Sequence, residues 1–196
     1  MKNKGFTLIE LMVTITIMMI MTSVVLFNYN RFNETTLLST FAYDLSLTIR
    51  QAQVYGAGVR DSATNQSRID VNSISNANSG FKSGYGVHFD TTKTSFVMFL
   101  DGGISPGIHD GADTDLDTYL FQRGINILKL CVPDGAGGET CGRSLDITFL
   151  RPDPEATITI NGVSTKYGTA TIWLQSADTK ISKSVVVNMT GQISVQ

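Results

Sequence analysis

The sequence is poor in proline, cysteine, histidine and charge. It has four prolines, two cysteines and two histidines in 196 residues, and 16% of its residues are charged. Two cysteines cannot complete a four-ligand structural zinc site. The 15 basic and 17 acidic residues give a net charge of −2, so the chain lacks the overall positive field that gathers nucleic acid. A chain of 196 residues also excludes a large multidomain enzyme.

The few charges are distributed unevenly. Residues 6–30 contain one charged side chain, Glu10, whereas residues 31–196 contain 13 basic and 16 acidic ones. The residues from Leu8 to Phe27, at ~1.5 Å each in a helix, would cover the ~30 Å hydrocarbon core of a bilayer. Lys2 and Lys4 precede this run, which predicts a single membrane-spanning helix with a cytoplasmic N-terminus and an exported C-terminal part.

A cleaved secretory signal begins with the same pattern of basic and then apolar residues. Its cleavage site would need small residues after the apolar run, but Phe27, Tyr29 and Phe32 are bulky. A retained helix therefore explains the pattern better. A carboxylate such as that of Glu10 is costly in an apolar span, so we expect it to have a cationic partner.

The segment from Lys4 to Val13, Lys-Gly-Phe-Thr-Leu-Ile-Glu-Leu-Met-Val, resembles the class III signal of type IV prepilins and type II secretion pseudopilins. The resemblance implies that a membrane prepilin peptidase cleaves between Gly5 and Phe6 and methylates the new Phe6 amine. It also implies that Glu10 pairs with the Phe6 ammonium of a neighbouring subunit during assembly. The implied partners are that peptidase, other pilin or pseudopilin subunits, the inner-membrane assembly platform and, before assembly, membrane lipid.

The sequence departs from the family at one position. Pilins of this type often carry proline in a Leu-Pro-Asn-Tyr run, whereas residues 26–29 here are Leu-Phe-Asn-Tyr. Without that proline, no backbone donor is missing, and the sequence predicts a helix that is not kinked at this point.

Apolar residues continue at helical spacing beyond the proposed span. Leu38, Phe41, Leu45, Ile49 and Ala52 recur three or four residues apart, as on one face of an amphipathic helix.

Residues 6–54 contain no proline, and Gly56 and Gly58 supply a stop signal. The predicted organisation is a leader peptide over residues 1–5, a transmembrane or filament-core helix over 6–30, the amphipathic half of that helix over 31–56, and an exported β-rich domain over 57–196.

The remainder of the chain has the pattern of β-strands. Residues 60–82 read as a long loop with a short strand at 67–71, and later runs alternate or are β-branched. Asn161-Gly162 favours a type I′ turn, and Thr190-Gly191 is a second turn signal. The predicted strands are Gly84–Phe89, Ser95–Leu100, Ile125–Val132, Leu145–Leu150, Thr157–Ile160, Thr169–Gln175, Ser184–Asn188 and Ile193–Val195.

The predicted fold class is therefore α+β and pilin-like, with a long N-terminal helix on a mostly antiparallel sheet. Residues 147–152 and 185–193 are also similar to the C-terminal pattern of the GspH/FimT minor pseudopilins, which implies a minor subunit.

Several residues were considered for metal binding or redox chemistry. Asp110, Asp113, Asp115 and Asp117 could bind calcium, but they lack the glycine and glutamate of an EF-hand, and a solvated loop is the alternative. Cys131 and Cys141 could form a disulfide if the domain is exported, or remain free thiols. No other cofactor is indicated.

The sequence does not predict an enzyme. Residues 103–107 match Gly-x-Ser-x-Gly, but the residue after Ser105 is Pro106, which has no N–H for an oxyanion hole, so a turn is the better interpretation. His88, within a strand pattern, is interpreted as a packed or surface residue. The alternative function is DNA binding by a minor pilin during DNA uptake, because folding could gather the scattered basic residues.

Overall fold

A single helix, α1 (Leu8–Ala57), dominates the N-terminal part of the chain. The computed structural model describes residues 5–58, 84–102, 105–150, 155–163 and 167–196, with the side chains at 27, 28, 30 and 31 left aside. The predicted strand at 67–71 lies outside the described residues. The chain consists of two compact units, Met1–Leu37 and Leu38–Gln196, and the boundary between them lies within α1.

The predicted long helix is confirmed, with small differences at its ends. It passes through residues 26–29 without a break, as expected for a segment without proline. The helix ends at Ala57, between the two glycines of the predicted stop signal, and Gly56 itself still belongs to α1. A side chain at Gly56 would overlap the backbone of Phe149, so the glycine permits close packing there. A final turn is closed by the bond from Gly58 N to Val54 O, 2.9 Å.

The second unit contains two five-stranded sheets. All the strand pairs in these sheets are antiparallel, which confirms the predicted α+β arrangement. Sheet one has the order β3-β2-β1-β6-β7, and sheet two the order β10-β9-β8-β4-β5. The strands are β1 (Gly84–Asp90), β2 (Ser95–Asp101), β3 (Thr114–Leu120), β4 (Asn126–Pro133), β5 (Glu139–Gly142), β6 (Ser144–Phe149), β7 (Ala156–Ile160), β8 (Thr169–Gln175), β9 (Ser182–Asn188) and β10 (Ile193–Val195).

All eight strands predicted from residue 84 onward are confirmed to within two residues at each end, but β3 and β5 were missed. Strand β3 lies at the edge of sheet one and pairs only with β2, so it can carry the acidic residues that suggested a loop. Strand β5 has four residues and follows a glycine-rich turn, and it forms the edge of sheet two. Each of these two strands is held by hydrogen bonds to the strand beside it. Neither has the apolar alternation or β-branched run by which a strand is predicted from sequence.

One hydrophobic core joins the C-terminal half of α1 to both sheets. Leu38, Leu45 and Ile49 are at most 1% exposed, as their spacing predicts, and they share this core with residues of sheets one and two. Phe41 is only partly buried, and its ring meets the edges of Phe96 and Phe121. Burial of such apolar side chains, at about 1.5–3 kcal/mol each, is what fixes this half of α1 on the sheets.

The predicted Asn-Gly turn is present after β7. Asn161 and Gly162 have φ angles of 52° and 69°, both positive as a type I′ turn requires. Val163 N donates to Ile160 O at 2.9 Å, and these two residues form an isolated bridge. The side chain of Asn161 also accepts a bond from Arg143 N at 2.7 Å, which ties the turn to the start of β6.

Candidate functional site

The N-terminus of α1 is closed by a side-chain cap. Thr7 precedes the first helical residue, and its hydroxyl lies 3.4 Å from both the backbone N and the Oε2 of Glu10. Leu11 N donates to Thr7 O at 3.2 Å, which completes the first turn. The spacing is that of a capping box, but the Glu10 carboxylate contacts the Thr7 hydroxyl, and among the described residues only the threonine half of the motif is formed, with Thr7 as the N-cap.

The carboxylate of Glu10 lies on the exposed surface of this first turn. Negative charge is favourable at a helix N-terminus because the unpaired N–H groups and the helix dipole are positive there. Phe6, two residues before the helix, is 84% exposed. The three residues Phe6, Thr7 and Glu10 are thus brought to one end of α1. Gly5 precedes them, and a Cβ added to it would have no described atom within 4 Å.

Hydroxyl groups within the apolar part of α1 are bonded to their own helix. Thr14 donates to Leu11 O, Thr16 to Met12 O and Thr22 to Met18 O, each at 2.8 Å. A polar group without a hydrogen bond is costly in hydrocarbon, and these bonds remove that cost for each threonine. The threonines are therefore compatible with an apolar environment.

Part of α1 is long and apolar enough to cross a membrane. The segment Leu8–Leu26 has 19 residues and a mean hydropathy of 2.2, and none of it is buried within the structure. Length and hydropathy alone would also describe a secretory signal. The residues at its N-terminal end are what separate the two interpretations.

The four aspartates proposed for calcium have different partners. Asp113 accepts bonds from Gly102 N at 3.2 Å and from Asp110 N at 2.9 Å, and Asp115 lies 2.8 Å from His109 Nε2. Asp117 lies on β3, opposite Met98. Among the described residues, these carboxylates do not form a group of three ligand atoms within 4.8 Å of one another. Asp110 and Asp113 are bonded within the segment before β3, and Asp115 and Asp117 lie on β3.

Cys131 and Cys141 form a disulfide between β4 and β5. The two residues are directly opposite in the strand register, and their Cα atoms are 4.0 Å apart. Glu139 lies close enough to complete a three-ligand group with the two sulfur atoms. Since the sulfur atoms are bonded to each other, this group is a covalent link between strands rather than a metal site.

Residues 105–108, which include the described part of the Gly-x-Ser-x-Gly segment, form a turn. Ile108 N donates to Ser105 O at 3.1 Å, and Gly107 has a φ of 83°. Gly107 N donates to Asp101 Oδ2 at 2.7 Å. The turn and the positive φ of Gly107 agree with the turn that the sequence predicts here.

The two histidines lie together, which the sequence did not indicate. Their ring centroids are 4.7 Å apart, although 20 residues separate them in the chain. His88 is on β1 and His109 precedes β3, so their contact depends on the order of strands in sheet one. The N-cap formed by Thr7 was also missed, although the spacing of Thr7 and Glu10 is visible in the sequence.

Two aspartates in the second unit are held in the ionised form. Burial tends to raise the pKa of Asp90, but bonds from Thr92 and the charge of Arg143 outweigh it, so this pKa is below its usual value. The bond from Ser176 to Asp178, 2.6 Å, and the bond from Lys180 N lower the pKa of Asp178. Asp90 is the last residue of β1, and Asp178 lies in the turn between β8 and β9.

Comparison with known proteins gives one match. Residues 1–26 match the prokaryotic N-terminal methylation motif. No curated protein and no solved structure matches the chain. The matched residues include the capped start of α1 and the apolar segment that follows it. The chain therefore carries the class III signal of type IV pilins and pseudopilins, which is processed by prepilin peptidase before assembly with other pilins.

Proposed function

We propose that this chain is a minor structural subunit of a type IV pilus or a type II secretion pseudopilus. The observation that carries the proposal is the methylation motif at residues 1–26, joined to a capped apolar helix that begins at Leu8. In this proposal the peptidase cleaves between Gly5 and Phe6 and methylates the Phe6 amine. The similarity of residues 147–152 and 185–193 to GspH/FimT proteins supports the minor role.

Before assembly, the subunit is a single-pass protein of the inner membrane. Lys2 and Lys4 keep the N-terminus in the cytoplasm, and residues 57–196 lie outside. The leader is residues 1–5, the membrane-spanning and later filament-core part is 6–30, and residues 31–56 are the amphipathic half of the same helix. The assembly platform of the inner membrane then moves the subunit from lipid into an extracytoplasmic filament.

Glu10 gives the filament its register. Its carboxylate has room for further hydrogen bonds beside the long contact with Thr7, and it faces outward from the first turn. Cleavage before Phe6 creates a new positive amine, and the equivalent amine of a neighbouring subunit pairs with Glu10. In an apolar environment an unpaired carboxylate is costly and a paired one much less so, so a subunit out of register is disfavoured.

The test compares Glu10→Ala and Glu10→Gln with the wild type in cells that assemble the filament. We expect both variants to be cleaved and methylated normally but to be depleted from purified filaments, because neither supplies a negative charge. Glu34→Ala is the matched control, since Glu34 is an acidic residue of the same helix outside the motif. N-terminal sequencing checks processing and quantitative immunoblotting checks incorporation. Normal incorporation of both Glu10 variants would refute the pairing.

DNA binding during DNA uptake has less support. Lys129, Arg143 and Lys180 each lie within 4 Å of a carboxylate, at 3.5 Å from Glu139, 3.7 Å from Asp90 and 3.7 Å from Asp178. These pairs reduce the positive charge available to phosphates. A DNA affinity that falls steeply with added salt would favour this alternative over a purely structural role.

A further inference from the structure

The strands of the second unit alternate in direction, so their connections gather at two opposite ends of the unit. β1 leads into β2, β3 into β4, β5 into β6 and β8 into β9 at the same end, as the strand register shows. Thr91 N donates to Arg143 O and Phe121 N to Thr94 O, each at 2.9 Å, which joins three of these connections. This end consists of residues 90–95, 120–126, 142–144, 160–163 and 175–183.

The contacts of α1 show at which end the chain enters the second unit. Phe41 lies against Phe96, near the start of β2, and against Phe121, just after β3. Further along the helix, the ring of Tyr55 lies 5.6 Å from that of Tyr85, near the start of β1 and thus at the opposite end. The chain therefore comes from the apolar segment into the end just defined, here called the entry end, and the opposite end is called the far end.

The two ends carry opposite charge. The entry end contains two aspartates and five basic residues, a net charge of +3, and the basic residues are Lys93, Arg123, Arg143, Lys180 and Lys183. The far end contains six acidic residues and, among its described positions, no lysine or arginine. We assign to the far end residues 84–85, 100–102, 105–114, 132–139, 149–150, 155–156, 168–170 and 187–193.

The basic side chains of the entry end are open to solvent. Lys93 and Arg123 are exposed, and the side chains of Arg143 and Lys180 are 70% and 74% exposed. The two aspartates of this end each lie 3.7 Å from one of these cations. Such exposed pairs are weak, and they lower the positive charge of the end without neutralising it.

The apolar segment limits how far the entry end can lie from a bilayer. Eleven residues, 27–37, separate Leu26 from Leu38, the first residue of the second unit. They belong to α1, so at ~1.5 Å each they cover at most about 17 Å. Headgroups occupy about 5–7 Å of each leaflet, which leaves a gap close to the Debye length of ~10 Å at 0.1 M ionic strength. Long basic side chains at this end can therefore reach the potential of a charged lipid surface.

We propose that the entry end, through Lys93, Arg123, Arg143 and Lys180, binds anionic phospholipid headgroups of the bilayer that holds the apolar segment, and thereby orients the second unit before assembly. This proposal rests on the retained helix of the proposed function, but not on the pairing of Glu10 or on the filament.

The charge distribution favours one orientation of the unit. Basic residues close to a membrane are attracted to anionic lipid, and this attraction fades within a Debye length. The acidic far end is repelled by the same surface, so both ends turn the unit in the same direction. Because the contact is electrostatic and exposed to solvent, it is weakened by salt and can be broken when the subunit leaves the bilayer.

The test places the full chain in nanodiscs of phosphatidylcholine, either alone or mixed with anionic phosphatidylglycerol, and measures how fast an uncharged reagent acylates each lysine. We expect Lys93 and Lys180 to react about threefold or more slowly in the anionic nanodiscs, because headgroups cover them. Lys129, which lies on β4 and is paired with Glu139, is the internal reference and should not change. The slowing should vanish at about 1 M salt, where the Debye length is ~3 Å. Equal rates in the two lipid compositions would overturn the proposal.

A charge-removing variant identifies the cause of the slowing. In the double variant Arg123→Gln and Lys180→Gln, Lys93 remains as the reporter, and we expect it to lose at least half of its slowing in anionic nanodiscs. Arg50→Gln, on the exposed face of α1 outside the entry end, is the matched control and should leave the slowing unchanged. Full slowing of Lys93 in the double variant would overturn the proposal.

A different occupant of the entry end would give a different result. If slowing follows the number of chains per nanodisc and not the lipid charge, the entry end binds the acidic far end of a second copy, and the lipid proposal is overturned. No filament is present in this experiment, so its result is independent of the incorporation of the Glu10 variants, which tests assembly.

Discussion

At the scale of single residues, Asp90 shows how a carboxylate at the end of a strand stabilises the second unit. Its Oδ1 accepts bonds from Thr92 N at 2.8 Å and from Thr92 Oγ1 at 2.7 Å, and Arg143 Nε lies 3.7 Å away. Burial acts against the charge but is outweighed, so the pKa of Asp90 is below its ordinary value. A carboxyl group whose pKa is lowered by folding stabilises the fold above its unfolded pKa, and this contribution disappears as pH falls through the folded pKa.

Asp90→Asn is therefore expected to lower the free energy of unfolding at neutral pH by about 1 kcal/mol, because the amide is a weaker acceptor than the carboxylate. The difference should begin to shrink as pH falls below about 4, the ordinary pKa of an aspartate, and should be lost as pH falls through the lowered pKa of Asp90. Thermal unfolding of both proteins at several pH values checks this. Asp44→Asn, on the exposed face of α1, is the control and should have little effect. An Asp90→Asn difference that is unchanged in acid would show that the charge is not responsible.

At the scale of elements, the packing of α1 on β6 depends on a glycine. Gly56 is buried, and a Cβ there would overlap both the backbone and the Cβ of Phe149. Alanine is normally favoured over glycine in a helix by about 1 kcal/mol. Here the overlap with backbone atoms cannot be relieved by rotating a side chain.

We expect Gly56→Ala to destabilise the second unit by about 1–3 kcal/mol despite the better helix propensity of alanine, because the helix must move away from β6. Denaturant unfolding measures the change. Gly111→Ala is the control, since no atom lies near the Cβ position there. A stabilised Gly56→Ala protein would mean that α1 can shift on the sheet without cost.

The disulfide links two strands of sheet two at an edge. Strand β5 has four residues and contacts one neighbouring strand, so its own hydrogen bonds provide little support. The link between Cys131 and Cys141 closes a short loop and restricts the unfolded chain.

Replacement of both cysteines by serine should lower the free energy of unfolding by about 2–3 kcal/mol, and amide exchange should increase first in β5. Thiol titration of the unreduced wild type under denaturing conditions should find no free thiol. Detection of two thiols in protein from the native compartment would contradict this prediction.

The elements that the sequence predicts well are those whose own pattern is strong. The apolar spacing from Leu38 to Ala52 and the alternation in β8 both reflect burial of one face, so they are visible without any knowledge of the fold. Strands β3 and β5 are imposed by neighbouring strands, and their acidic or glycine-rich sequences indicate loops. Glu10 could be singled out because a lone charge in an apolar run is conspicuous. The contact between His88 and His109 could not, since it arises from strand order rather than from sequence spacing.

At the scale of the whole molecule, the proposed processing has a direct chemical signature. Protein purified from cells should begin at Phe6 and carry one additional methyl group on its amine. Intact mass and N-terminal sequencing measure both features. Gly5→Leu should abolish cleavage, because it changes the residue immediately before the bond, and leave the second unit folded, since Gly5 lies outside that unit. A mature protein that begins after the apolar segment would refute the retained helix.

Calcium is expected to have no effect on the whole molecule, because the carboxylates of Asp113 and Asp115 already have partners within the fold, and the four aspartates do not form a group of three close ligand atoms among the described residues. The melting temperature of the purified chain should be the same after chelation and after addition of calcium. A rise in melting temperature on addition of calcium would restore the calcium hypothesis for Asp110, Asp113, Asp115 and Asp117.

The threonines along the apolar segment have a consequence for how a subunit changes its surroundings. Since Thr14, Thr16 and Thr22 direct their hydroxyl protons to carbonyls of the same helix, these three residues require nothing polar from their neighbours, in contrast to Glu10. Lipid tails and apolar protein side chains are then nearly equivalent as surroundings. In the proposed assembly these threonines therefore add little cost when the helix exchanges lipid for the apolar side chains of other subunits, and Glu10 is left as the residue whose surroundings must change.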